Sequence, residues 1–150
     1  MNTTPETQAR LELSAEVLQR GERLSLRVKG SSMLPSLFPG DVLTFRRCAP
    51  EEIVVGDIVL FMREGRCFVH RVAERMAGGA ASRLRTRGDA LPSCDPPLVE
   101  TEVLGRLATV ERNGRRMAPP RLGPVRSLVA GLVRRSPWAA RALLAAQKRF

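Results

Sequence analysis

The sequence predicts a mainly β domain, a compact barrel or sandwich, with a short helix before it and a basic helical tail after it. Three observations carry this. Between residues 24 and 112, short apolar runs that often alternate residue by residue are separated by Gly, Pro and Asp signals. From Pro120 the apolar spacing changes to steps of three and four. The charge changes as well: residues 112–150 hold ten of the 25 Lys and Arg and no acid, whereas residues 1–111 are balanced. The expected divisions are an N-terminal helix at 1–21, a β domain at 22–118 and a basic tail at 119–150.

Thr4, Pro5 and Glu6 supply an N-cap, a first helical residue and a first-turn acid; Leu11, Ala15 and Leu18 recur at helical spacing, and Gly21 stops the helix. Leu24, Leu26 and Val28 alternate with Ser25, Arg27 and Lys29, a half-buried strand that runs into GSSMLPSLFPGD at 30–41. Further strands are expected at 42–45, 57–62, 68–73, 84–86 and 103–112. The REGR segment at 63–66 reads as a hairpin turn, and so does Asn113-Gly114. In the tail, Leu122, Val125, Leu128, Val129, Leu132 and Val133 form one stripe flanked by Arg121, Arg126, Arg134 and Arg135. Ser136-Pro137 then opens a second helix, whose Trp138 suits a membrane interface.

The composition excludes several classes. A chain of 150 residues buries roughly 70% of its unfolded surface, enough for one core without disulfide or metal support. There is no apolar run of the roughly 18 residues that a spanning helix needs, and MNTTPETQAR lacks the basic and apolar regions of a secretory signal. The expected compartment is therefore the cytoplasm, with Cys48, Cys67 and Cys94 as free thiols. Cys67 and His70 are an odd number of strand residues apart, which points them to opposite faces, so no metal is expected. No cofactor is expected either.

Chemistry centres on the turn after the first strand, where Ser32 is a candidate nucleophile framed by Gly30 and Ser31. A serine in a Gly/Pro-rich turn is commonly a turn former, and its hydroxyl is inert until a base removes the proton. The available bases are few: His70, Lys29 and Lys148. Strand alternation places Lys29 opposite Ser32, and Lys148 lies in the tail. Alternation also puts Phe68, His70 and Val72 on one face of their strand, with Val69, Arg71 and Ala73 on the other. A neutral imidazole accepts a proton near pH 7 when a carboxylate holds its other nitrogen. Asp89 and Asp95 are the candidate carboxylates; Gly88-Asp89 also repeats the Gly-Asp turns at Gly40-Asp41 and Gly56-Asp57.

Taken in order, GSSMLPSLFPGD, VGDIVLF, VHRV, TRGDALPSCD and VLGRLATV resemble the type I signal peptidases and their relatives, the self-cleaving SOS repressors, over about residues 27 to 110. The resemblance implies Ser32 as nucleophile. Most bacterial members use a Lys followed by Arg as base; His70-Arg71 stands there in this chain, which resembles the archaeal, endoplasmic-reticulum and sporulation-type enzymes with Ser, His and Asp. By the same resemblance Asp95 is the third member and Asp89 a supporting residue, with the Ser32 N–H stabilising the oxyanion. Some relatives add a serine hydroxyl two residues before the nucleophile; Gly30 supplies none.

The resulting expectation is a serine endopeptidase that cleaves a peptide or protein precursor after small residues. An inactive peptide-binding module and a self-cleaving regulator are the alternatives. Family members normally carry an N-terminal transmembrane anchor; the expectation here is that residues 121–150 replace it by peripheral contact with anionic membrane, or else pack on the barrel. With no helix-turn-helix pattern, nucleic acid is not the expected partner.

Overall fold

The computed structural model describes residues 16–18, 20, 21, 23–76 and 83–147. The strands are β1 (Arg23–Arg27), β2 (Val42–Arg46), β3 (Ile58–Arg63), β4 (Arg66–Met76), β5 (Arg83–Arg87), β6 (Leu98–Val99), β7 (Val103–Arg112) and β8 (Arg115–Met117). All pair antiparallel in one sheet of order β1-β2-β7-β3-β4-β5-β6, with β8 beside β7. Two helices follow, α1 (Pro124–Arg135) and α2 (Pro137–Gln147). The mainly β expectation holds, with β1 and β6 as the two ends of the hydrogen-bonded path.

Local chemistry sets the turns. Glu64-Gly65 and Asn113-Gly114 both have positive φ at the two central positions, the geometry that suits the twist of a two-residue hairpin. Phe38-Pro39-Gly40-Asp41 and Val54-Val55-Gly56-Asp57 are a repeated device. In each, the Asp N–H donates to the carbonyl of the first residue, the Asp carboxylate accepts that residue's N–H, and the glycine takes a φ near 100° (98° and 97°). Gly88-Asp89 is not a third copy, because its aspartate is engaged elsewhere. Gly21 has φ 80° and donates to the Leu18 carbonyl, ending a helical turn at 16–18 as the sequence predicts; the rest of the expected N-terminal helix lies outside the described residues.

The uninterrupted apolar run of β3 is explained by burial on both faces. Ile58 and Leu60 join Leu18, Met33, Leu37, Leu43, Phe45, Leu107 and Val110 in one cluster, while Val59 and Phe61 join Ile53, Val72, Leu84 and Leu98 in another. A third cluster unites Leu34 and Phe38, from the turn after β1, with Val133 of α1, and Val129, Ala139, Ala140, Leu143 and Leu144 pack around it. The predicted apolar stripe of the tail is therefore divided. Val129 and Val133 face the body, whereas Val125, Leu128 and Leu132 are exposed.

One expectation from strand alternation is overturned, and another holds only as far as Val72: Phe68 and Val72 join one core cluster and Val69 the other. β1 ends at Arg27, so neither Lys29 nor Ser32 lies in a strand, and both line one cavity instead of facing apart. In β4, Arg71 is buried and Ala73 exposed, although the two share a strand parity. The register of β4 with β5 shifts between Val72 and Glu74, which breaks the simple period at that point.

Candidate active site

The segment between β1 and β2 is closed at its base by Val28 N–H to Asp41 O at 2.8 Å and Gly40 N–H to Val28 O at 2.9 Å. Its apolar residues anchor it on two sides: Met33 and Leu37 enter the first core cluster, Leu34 and Phe38 the third. Ser32 stays half-buried at the top of this anchored turn. Gly30 and Ser31 are exposed; Ser31 gives its carbonyl to Leu34 N–H, and a Cβ at Gly30 would meet open space.

The structure brings Ser32, His70 and Asp95 together. Ser32 Oγ lies 3.2 Å from His70 Nε2, and His70 Nδ1 lies 2.7 Å from Asp95 Oδ2. His70 is buried on β4, with Phe61 and Phe68 rings centred 6.2 and 6.0 Å from its own. Asp95 is fixed by its own N–H to Thr86 O at 2.8 Å and by Thr86 Oγ1–H donating to Oδ2 at 2.6 Å. An ionised carboxylate only accepts, so in the neutral ring Nδ1 carries the proton and Nε2 is left to accept from the serine hydroxyl.

Burial pushes the Asp95 carboxyl up, but hydrogen bonds from His70 and Thr86, with the charges of His70 and Arg63, outweigh it and hold the group below the usual aspartate range. A lowered folded value means that the unfolded chain takes the proton more readily. The stabilisation is therefore fully present above the ordinary aspartate value of about 4 and is lost as pH falls through the lowered one. The Tm difference between the wild type and Asp95→Asn is expected to shrink below about pH 4. Equal differences at neutral and strongly acid pH would contradict this.

Asp89 does not touch His70. It takes a two-pronged bond from Arg71, with Nε to Oδ1 at 2.9 Å and a terminal nitrogen to Oδ2 at 2.8 Å. The same guanidinium donates to Ser36 Oγ, Gly56 O and Pro120 O, so it ties the serine turn, the turn before β3 and the start of the tail together. Sequence reasoning missed Thr86 and this role of Arg71. Thr86 was accessible, because it occupies an inward position of β5 beside Leu84, and a polar side chain there needs a buried partner.

Gly88 positions the loop that carries Asp89 and Asp95. A Cβ there would sit 2.6 Å from the Ser32 carbonyl oxygen, the atom that also accepts Ala90 N–H at 2.8 Å. Gly88→Ala is expected to displace the serine turn, lower stability by about 1–3 kcal/mol and lengthen the Ser32–His70 contact. A variant with unchanged Tm and unchanged turnover would contradict that reading.

A cavity of about 360 Å³ opens on Ser32 and His70 between the end of β1 and the first half of β4. Leu26, Val28, Met33, Leu37, Leu43 and Val69 make it mostly apolar. Cys67 also lines it, and burial pushes its thiol up, away from reactivity. Cys48, Cys67 and Cys94 are free thiols, and among the described residues no group of three or more His, Cys, Asp or Glu is placed to hold a metal.

A mainly β sheet carrying a hydroxyl, an imidazole and a carboxylate in one hydrogen-bonded line defines a domain of serine-peptidase type. The Peptidase S24-like family model matches residues 2–107, most of the chain, and the protein belongs to that family. A search of curated proteins finds no match.

Proposed function

We propose that the protein is a serine endopeptidase of signal-peptidase type that cuts a peptide or protein precursor after small residues. The observation that carries this reading is the continuous line from Ser32 Oγ through His70 to Asp95. Ser32 attacks the peptide carbonyl; His70 takes the hydroxyl proton at Nε2 and delivers it to the leaving amine; Asp95 holds the ring orientation and stabilises the imidazolium. The Ser32 N–H stabilises the oxyanion.

Binding follows from the unfilled strand edges. Among the described residues, β1 is a terminal strand and β4 pairs with β5 only from Arg71 onward, so residues 66–70 have a partner on one side alone. An extended substrate between these edges adds backbone hydrogen bonds and sets alternate side chains in the apolar cavity. The preference for small side chains comes from the family resemblance. The test is incubation with a peptide library and mass spectrometry of the new termini. Cleavage after small residues, lost in Ser32→Ala and in His70→Ala, is expected. Full activity in either variant removes the assignment. Cleavage of the chain itself, with external peptides untouched, favours the self-cleaving regulator.

A further inference from the structure

The exposed face of the tail is the feature that the site chemistry does not use. Val125, Leu128 and Leu132 follow one line along α1 at steps of three and four, and they are 74%, 69% and 56% exposed. Trp138, at the start of α2, is 72% exposed. Isolated apolar residues on a surface are ordinary, but a line of exposed aliphatic side chains followed six residues later by an exposed tryptophan marks a contact surface.

The surrounding charge says what covers it. Arg121, Arg126, Arg135 and Arg141, in or beside the two helices, are exposed, and the guanidinium of Arg141 lies 5.4 Å from the centre of the Trp138 ring. No acid occurs from residue 112 to residue 150, so nothing within the segment neutralises these groups. A second copy of the chain would bring like charge against like charge at a net +10 per molecule. Nucleic-acid phosphate would satisfy the arginines but leave the aliphatic line in water. An anionic lipid surface satisfies both: aliphatic side chains and the indole enter the headgroup boundary, and arginines pair with phosphate above them.

We propose that α1 and the start of α2 dock this protein on an anionic lipid surface through Val125, Leu128, Leu132 and Trp138, with Arg126 and Arg135 among the cations that bind lipid phosphate. The platform packs against the serine turn. A neighbouring face of α1 rests on Leu34 and Phe38, and Arg134 Nε donates to the Asp89 carbonyl at 2.9 Å. The docking itself does not depend on the peptidase reading, and its test uses no catalytic readout.

Trp138 is the chain's single tryptophan, so its emission reports the contact directly. The full chain is titrated with vesicles of mixed phosphatidylglycerol and phosphatidylcholine, with vesicles of phosphatidylcholine alone, and with duplex DNA, each across a salt series. The expected result is a shift of emission to shorter wavelength and flotation with the anionic vesicles only, both weakened by salt. Leu128→Asp with Leu132→Asp removes the shift while circular dichroism and Tm stay near wild type, because both positions are exposed. Arg126→Gln with Arg135→Gln weakens vesicle binding by about thirtyfold. The proposal is overturned if anionic vesicles produce no shift at low salt, or if the folded double-aspartate variant binds them as wild type does. Retardation of DNA without vesicle binding overturns it too, as does a dimer dissolved by the same aspartates without vesicle binding.

Discussion

Replacing Asp95 by asparagine is expected to lower kcat by about ten-thousandfold, with a much smaller change in KM. Asp95 Oδ2 accepts from Thr86 Oγ1–H at 2.6 Å and lies 2.7 Å from His70 Nδ1. An amide can offer its NH₂ group to the ring and stabilise the tautomer with the proton on Nε2, which then cannot accept from Ser32. The Ser32–His70 distance is preserved in such a variant, so the loss is electronic and not one of folding. Steady-state kinetics on a peptide cut by the wild type measures it. A fall of less than tenfold would show that Asp95 has no part in orienting the base. Thr86→Val is expected to give a milder loss in the same direction, because Asp95 keeps its backbone N–H to Thr86 O and its contact with His70.

The largest effect on stability is expected at Arg71. Arg71→Met leaves the Asp89 carboxylate, 3% exposed, without its counter-ion. It also removes donors to Ser36 Oγ, Gly56 O and Pro120 O. Breaking a buried pair from one side costs about 3–5 kcal/mol, a large share of the 5–15 kcal/mol that holds a typical domain. Arg71→Met combined with Asp89→Leu recovers part of the loss, since no buried charge is stranded, but the three other acceptors keep the double variant below wild type. Denaturant titration of the two variants separates these contributions. A single variant within about 1 kcal/mol of wild type would contradict the reading of Arg71 as the tie between these segments.

Local signals made most of the strands readable. β7 falls on the expected residues 103–112, and both positive-φ hairpin turns follow from Glu-Gly and Asn-Gly in their sequence. β6 was not readable, because two residues, Leu98 and Val99, carry no period at all. The failure at Lys29 has a similar cause: a strand's alternation was extended past Arg27, where the chain had already turned away. Sequence also left both Asp89 and Asp95 open as the carboxylate partner, with a turn role the plainer reading of Asp89, until a resemblance separated them. Their environments differ only through long-range folding, which sets Asp95 against Thr86 and His70 and Asp89 against Arg71. The tail's stripe was visible as periodicity, yet its division into a packed line and an exposed line depends on the turn that carries Leu34 and Phe38.

The catalytic claim rests on Ser32 becoming covalently acylated during turnover. A slowly deacylating ester of a small amino acid, quenched in acid and mapped by peptide mass spectrometry, reads this directly. The account predicts the acyl group on Ser32 in the wild type and none in His70→Ala. Acylation at Ser31 or at any other residue, undiminished labelling in His70→Ala, or no hydrolysis by the wild type of any ester or peptide offered would contradict it.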